Sequence, residues 1–307
     1  MEQVMEKITP KVGLAFKKIF GVEEHKDLLI SLINATVSPE DQVCDVTLLN
    51  PYNAKNFVVD KLSILDIKAV SETGKRFNIE IQITDESDYD KRALYYWAKL
   101  YTDQLKASQH YSTLNKAIGI HILNFASIPD SKKYHNVFHI TEKESRMPYF
   151  SDLELHTIEL VKFSNDPKET LDSLLQKVKN GLDIWTAFLT RNDLLNKDNL
   201  PGLLASSSLK KALHILETLN FTDEERMAYE DRLKWLRIEA GTIEKLQKKA
   251  KEEGIEQDIQ EGIQIGQEKG KLEGKIEIAR SMVRKGYPID DIILLTGLSR
   301  SHLQDLV

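Results

Sequence analysis

Apolar positions along the chain follow two rhythms. Over residues 9–36, Leu14, Phe16, Ile19 and Phe20, and past Gly21 Leu28, Leu29, Leu32 and Ile33, recur at helical spacing, which predicts two helices. Between Val43 and Thr84 the rhythm shortens to β-rich runs, VTLLN, FVVDKLSILDIKAV and RFNIEIQIT, separated by Pro51-Tyr52-Asn53 and Ser71-Glu72-Thr73-Gly74-Lys75, which predicts a meander or hairpin. Helical periodicity returns from about Asp88 to His110, with Leu94, Trp97, Tyr101 and Leu105 on one stripe. Tyr95, Trp97 and Tyr101 are expected in the core rather than as base-stacking platforms. KAIGIHILNF, residues 116–125, suits a buried strand, and NVFHI and LELHTIELVKF predict strands near 136–140 and 153–163. Helix, sheet, helix, sheet is the order of an α/β or α+β domain.

Past residue 165 the strand signals stop. LDSLLQKVKNGLDIWTAFL predicts one amphipathic helix, followed by the polar break RNDLLNKDNLPG and further helices to about residue 240. The pattern divides the chain into residues 1–190, a helical extension over 191–241, and a distinct tail over 242–307. The tail carries glycines at 254, 262, 266, 270 and 274. Five glycines inside a helix cost about 4–5 kcal/mol relative to alanine, so the segment is either a frayed connector or a helix that pairs through its small-residue stripe with a second copy. After Gly286-Tyr287-Pro288, IDDIILLTGLSRSHLQDLV predicts a helix, a turn and a short last helix capped by Ser299. This resembles a helix-turn-helix, but the last helix is short and Asp290, Asp291 and Asp305 repel phosphate, so a packing or dimerising hairpin is the expectation.

Composition narrows the classes. With 307 residues, 41% hydrophobic and 29% charged, the chain can bury a large core, and disordered or low-complexity classes are excluded. A net charge of -6 argues against coating nucleic acid by bulk electrostatics, so any phosphate contact is local. The single cysteine, Cys44, forms no internal disulfide and is expected to be a small buried hydrophobe. No run approaches the roughly 18 apolar residues of a membrane span, and the N-terminus lacks a secretory pattern; a cytoplasmic chain with no membrane contact is expected.

The chemistry concentrates in the hairpin. Alternation sets Phe77, Ile79, Ile81 and Ile83 on one face and Asn78, Glu80 and Gln82 on the other; in the preceding strand Leu65, Ile67 and Ala69 oppose Asp66 and Lys68. A three-residue loop, Glu72-Thr73-Gly74, with Gly74 left-handed, gives the register that sets Asp66 across from Glu80. Opposed carboxylates repel unless a cation or proton intervenes, and an all-oxygen donor set suits Mg²⁺ or Mn²⁺. Gln82 returns to the same face and can orient a water. The alternative is an ordinary solvated hairpin face. On the following helix Arg92, Tyr96, Lys99 and Lys106, interrupted by Asp103, form either a phosphate track or a solvated face. His121 reads as a sheet histidine rather than a general base. His135 and His139, about 13 Å apart at strand rise, do not share a metal. P-loop and Gly-x-Ser-x-Gly motifs are absent.

Asp66, a hairpin and Glu80-x-Gln82 resemble the PD-(D/E)XK nuclease signature with glutamine in the place of lysine. The flanks narrow the likeness: PKVGLAFKKIFG (10–21), KDLLISLINA (26–35), ILDIKA (64–69), FNIEIQ (77–82) and RALYYWAKLY (92–101) resemble the recombination-promoting nucleases, the Rpn family, also called PD-(D/E)XK-type transposases. The resemblance spans roughly residues 8–190. It implies a restriction-endonuclease-like α/β core, a central mixed sheet flanked by helices, followed by a mostly helical C-terminal region. It implies metal-dependent endonucleolytic cleavage of DNA, with Asp66 and Glu80 binding the metal and Gln82 at the signature's last position. Lys68, Arg92 and Lys99 are the candidate phosphate contacts, and a homodimer through the C-terminal segment is expected. Where the family usually has an aspartate before the Ala-Phe-Lys run this chain has Gly13; Glu6 and Glu23 lie outside the motif's register. The alternative of another class is a nuclease-derived DNA- or protein-binding regulator that has lost catalysis.

Overall fold

The computed structural model describes residues 8–52, 66–85, 88–285 and 288–299, and the chain divides into two compact units, residues 1–236 and 237–307. The strand pattern over 57–65, Glu6 and the last helix of the tail lie outside the described residues. In the first unit the opening periodicity becomes α1 (Gly13–Phe20) and α2 (Lys26–Thr36), which bury Phe16, Ile19, Phe20, Leu28, Leu29, Leu32 and Ile33. They pack on one face of a mixed sheet made of β1 (Val46–Leu48), β2 (Ile67–Ser71), β3 (Arg76–Gln82), β4 (Ala117–Leu123), β5 (His135–Thr141) and β6 (Pro148–Glu159). Among the described residues the strand order is β1-β2-β3-β4-β6-β5, with β3, β4 and β6 mutually parallel and the other pairs antiparallel.

The other face of the sheet is covered by α3 (Tyr89–Thr102), the crossover between β3 and β4. Its inner line is Tyr89, Ala93, Trp97 and Leu100, not the expected Leu94, Trp97, Tyr101 and Leu105. Two anchors set this rotation: Trp97 Nε1 donates to the Ala117 carbonyl at 3.0 Å, and the Tyr89 hydroxyl bonds His121 Nδ1 at 2.8 Å. Tyr95 is therefore exposed rather than core, and Leu105 and Lys106 lie beyond the helix end. The result is the α/β core that the resemblance implies, a mixed sheet between helical layers.

Three further expectations are corrected. The strand expected over 153–163 starts at Pro148 and ends at Glu159, where α4 (Leu160–Phe163) begins. The buried Glu159 carboxylate accepts from the Ser127 and Ile128 amides and pairs with Lys162, which turns the chain out of the sheet. The single helix expected over LDSLLQKVKNGLDIWTAFL is two, α5 (Leu171–Lys177) and α6 (Gly181–Arg191), because Asn180 and Asp183 form a reciprocal capping box that starts α6 afresh. Cys44 is exposed, in the loop whose amides at Cys44 and Asp45 donate to the Glu72 carboxylate.

Helix α7 (Ser207–Thr218) adds Leu209, Ala212, Leu213 and Leu216 to the core beside α1 and α2. Helix α8 (Asp223–Arg284) follows. Its first turns are tied to the core: the buried Glu225 carboxylate accepts from Lys18 and Tyr52, and the Tyr229 hydroxyl accepts from the Thr9 amide at 2.9 Å.

The second unit holds the remainder of α8 and α9 (Ile289–Thr296), joined by a small cluster of Ala279, Ile292 and Leu298. Gly297, left-handed at φ 68°, ends α9. The glycine-punctuated segment is helical throughout, and a Cβ on Gly254, Gly262, Gly266, Gly270 or Gly274 would meet nothing within 4 Å. No described helix is long and apolar enough to cross a membrane.

Candidate active site

The β2–β3 hairpin is closed by Gly74 at φ +87°, a conformation costly for any residue with a Cβ, and a Cβ there would also fall 2.8 Å from the Asn115 side chain. The Ser71 amide donates to the Lys75 carbonyl at 2.9 Å and the Gly74 amide to the Ser71 carbonyl at 3.0 Å, which fixes the loop at three residues. Pairing follows as Ile67 with Ile79, Lys68 with Asn78 and Ala69 with Phe77. Asp66 directly precedes β2 and Glu80 directly follows Ile79 on β3, so the same register extended by one step leads Asp66 toward Glu80. Ile67, Ala69, Phe77, Ile79 and Ile81 are buried in the core, which forces Asp66, Lys68, Asn78, Glu80 and Gln82 to the α3 side of the sheet. Sequence alternation predicts this division.

Two residues that the motif reading left without a role hold Asp66. Lys17, on α1 and only 2% exposed, donates from Nζ to the Asp66 carbonyl at 2.8 Å. Asn50 accepts from the Lys68 amide at 2.7 Å and donates to the Asp66 carbonyl at 3.2 Å, closing the start of β2 like one more ladder rung. Lys17 was visible only as the first lysine of the Ala-Phe-Lys-Lys run; nothing in its spacing tells that its ammonium turns inward. Asn50 carries no sequence signal beyond being a polar residue at the end of a β-run.

Each carboxylate stands near a cationic or ionisable neighbour among the described residues. Asp66 Oδ2 is 3.4 Å from Lys68 Nζ, and Asp66 Oδ1 accepts from Asn50 Nδ2 at 3.4 Å. Glu80 Oε1 is 3.8 Å from Arg92 Nη2, and Oε2 is 3.9 Å from His121 Nδ1. Charge-assisted bonds are shorter, roughly 2.7–2.9 Å, so neither acid is closed into a tight pair with these neighbours. His121 stands beside Glu80 on β4, buried, and burial followed by the Arg92 charge pushes its pKa down to about 4. At neutral pH it is uncharged. Tyr89, its hydrogen-bond partner, has its hydroxyl pKa pushed upward, by burial first and the Glu80 charge second.

Both carboxylates keep some access, 20% for Asp66 and 14% for Glu80. Among the described residues there is no group of three or more His, Cys, Asp or Glu suited to hold a metal. Two carboxylates alone offer oxygen donors, the kind that a hard divalent ion takes while retaining several waters. Gln82 shares the face, half-buried and next to Leu123 on β4, whose following residue Asn124 donates its amide to the Gln82 carbonyl at 2.9 Å and accepts from Lys11 Nζ at 3.3 Å.

The remaining predicted residues fall as follows. Lys68 is on the Asp66 face; Arg92 is half-buried between Glu80 and the Tyr89 ring; Lys99 is exposed on α3, and Lys106 is off that helix. Gly13 opens α1, and Glu23 is exposed in the turn between α1 and α2. His135 is hydrogen-bonded at 3.0 Å to His156, whose other ring nitrogen bonds Glu154 at 2.7 Å; His139 is exposed.

A sequence model of PD-(D/E)XK nuclease family transposases matches residues 10–245, which includes α1, the hairpin, α3 and the rest of the sheet. No curated protein and no solved structure matches the chain significantly. The match covers well over half of the chain and contains every element that builds the Asp66–Glu80 face, and the chain belongs to the PD-(D/E)XK nuclease family transposases.

Proposed function

We propose that the chain is a DNA endonuclease that hydrolyses phosphodiester bonds with a divalent ion, Mg²⁺ or Mn²⁺, held by Asp66 and Glu80. The observation that supports this reading is the hairpin register, which leads two partly accessible carboxylates, Asp66 and Glu80, to one face of the sheet. When bound, the ion supplies a Lewis acid for the phosphoryl oxygens and lowers the pKa of a coordinated water. Lys17 and Asn50 hold the Asp66 backbone in register, and the Gln82 amide orients a water on the same face. Lys68, Arg92 and Lys99 contact phosphates. The nuclease work falls to residues 1–190, extended by the helices over 191–241. In this reading the protein works in the cytoplasm as a homodimer paired through residues 242–307, where the α8 glycines leave open space for a second backbone.

The test is plasmid cleavage by the purified full chain. Nicking or linearisation in Mg²⁺, stopped by EDTA, is expected, and Asp66→Ala or Glu80→Ala lowers the rate at least about a hundredfold while circular dichroism stays unchanged. Cutting at the parental rate by Asp66→Ala would remove Asp66 from the chemistry. The second reading, a nuclease-fold binding protein without catalysis, is favoured by Gly13 and by the lack of a third acidic donor among the described residues. Calorimetry separates the two: DNA binding without binding of Mg²⁺ or Mn²⁺ selects the second.

A further inference from the structure

The rotation of α3 leaves two aromatic side chains without a place in the core. With Tyr89, Ala93, Trp97 and Leu100 facing the sheet, a turn of about 100° per residue sends Arg92, Tyr96 and Lys99 to one flank, Leu94, Ala98 and Tyr101 to the other, and Tyr95 to the outer side of the helix next to Tyr96. Two contacts identify the flanks. Arg92 reaches Glu80 on β3, whereas the Tyr101 hydroxyl donates to the Asp152 carboxylate on β6 at 3.2 Å. Since β4 separates β3 from β6, the flank of Arg92, Tyr96 and Lys99 looks toward the β2–β3 hairpin and its carboxylates, with Tyr95 at its outer rim.

Tyr96 on that flank is 39% and Tyr95 at its outer rim 61% exposed, with their rings edge-to-face at 5.5 Å. Lys99 follows one turn on, exposed and without a carboxylate at salt-bridge distance among the described residues, and Asp103 at the C-cap ends the stripe. From Arg92 to Lys99 the helix rises about 10 Å, the length of roughly three stacked nucleotides. Cations alone would suit a phosphate backbone of any kind. An aromatic pair adds something that a duplex cannot use, because paired bases hide their faces, while an unpaired base can stack on an exposed ring.

We infer that this flank of α3 is a stacking track for unpaired bases, so the nucleic acid taken by the chain has a single-stranded segment beside the Asp66–Glu80 face. The inference rests on the nuclease reading for its ligand class and deepens it by naming the form of the substrate.

The experiment is fluorescence anisotropy with the full chain in EDTA, so that binding is read without cutting. The probes are a labelled 20-nucleotide single strand, the duplex of the same sequence, and an abasic strand of equal length. The single strand is expected to bind more tightly than the duplex. Tyr95→Ser/Tyr96→Ser is expected to weaken single-strand binding about 5- to 150-fold, the range for losing a stacked base, with duplex and abasic binding changed less than about twofold. Its salt dependence stays parental, because no charge is removed, whereas Lys99→Ala lowers the slope by about 0.7.

Equal loss on the abasic strand, or none on the normal strand, overturns the track. So does a double variant that keeps its single-strand affinity but changes from dimer to monomer in sedimentation, since the tyrosines would then serve a second copy. Both residues are exposed, and unchanged circular dichroism of the double variant keeps the result readable. Tyrosine-dependent binding by a chain that never cuts in Mg²⁺ sinks only the nuclease reading; cutting that is indifferent to the tyrosines sinks only the track.

Discussion

The two antiparallel hairpins of the sheet differ in what their alternation decides. In β2–β3 one face is sealed in the core, and a slip of one residue would bury Asp66, Lys68 and Glu80 while exposing Ile67, Phe77 and Ile79. The apolar face therefore enforces the register of the polar one, and the tight loop at Gly74 pins it from the far end. In β5–β6, Val137, Phe138, Ile140, Met147, Tyr149 and Phe150 are all exposed, β5 is a sheet edge, and the pairing shifts at His139/Ile140 and again at Ile140/Thr141. No buried face corrects those irregularities. A carboxylate pair can be held to the geometry of chemistry in the first hairpin and not in the distal part of the second, which teaches that register here is a property of burial rather than of strand pattern.

The largest expected difference is in stability. Ile79→Ala removes a fully buried side chain and should cost about 2–5 kcal/mol in urea unfolding, while Ile140→Ala on the exposed hairpin should stay within about 0.5 kcal/mol. Equal costs would erase the contrast. Next comes pH. His135, at the inner end of β5, has its pKa pushed down to about 4, by burial first and His156 second. Below its ordinary value of 6.5 the unfolded chain takes up a proton that the folded chain refuses, so the unfolded state binds more protons and stability falls with falling pH. Between pH 6.5 and about 4 this removes up to about 3 kcal/mol, with no further loss below, and His135→Gln should flatten that part of the curve. A third change acts on the loop. Gly74→Ala forces a Cβ into a left-handed position against Asn115 and should cost about 1–3 kcal/mol, with a loss of cleavage beyond what unfolding explains, since the same loop leads Asp66 toward Glu80.

How much of this was legible follows the same division. The helices α1 and α2, strands β2 and β3, and the face shared by Asp66, Lys68, Glu80 and Gln82 follow from periodicity, and β4, buried on both faces, from its continuous apolar run. The rotation of α3 did not, because Leu94 and Tyr101 are as apolar on paper as Ala93 and Leu100; what decides is a hydrogen bond from Trp97 to a carbonyl 20 residues away. The exit from β6 was hidden for a like reason: LELHTIELVKF alternates well into 160–163, and only the amides of Ser127 and Ile128 on Glu159 explain the turn. Lys17 is the sharpest case, since a lysine in an amphipathic helix ordinarily points to water and here reaches inward to a carbonyl of another element.

The smallest expected effect on stability tests whether burial alone is enough to hold the candidate site. Asn50 lies outside any strand, yet its side chain substitutes for a ladder partner at the start of β2, accepting from Lys68 and donating to the Asp66 carbonyl. Asn50→Ala should therefore cost only about 1 kcal/mol, the net worth of a hydrogen bond exposed to some water. If Asp66 holds the ion as proposed, the effect on Mg²⁺ binding should be larger, about 10- to 100-fold in affinity by calorimetry, because the partner of a ligand governs where the ligand points. Asn50→Asp keeps the acceptor for the Lys68 amide, loses the donor to Asp66 and adds a charge beside the pair. If Asn50→Ala binds the ion as the parent does, the buried face of β2–β3 alone holds Asp66 in place. If affinity falls while the urea midpoint barely moves, the end of the strand, rather than the core beneath it, sets the geometry of the two carboxylates.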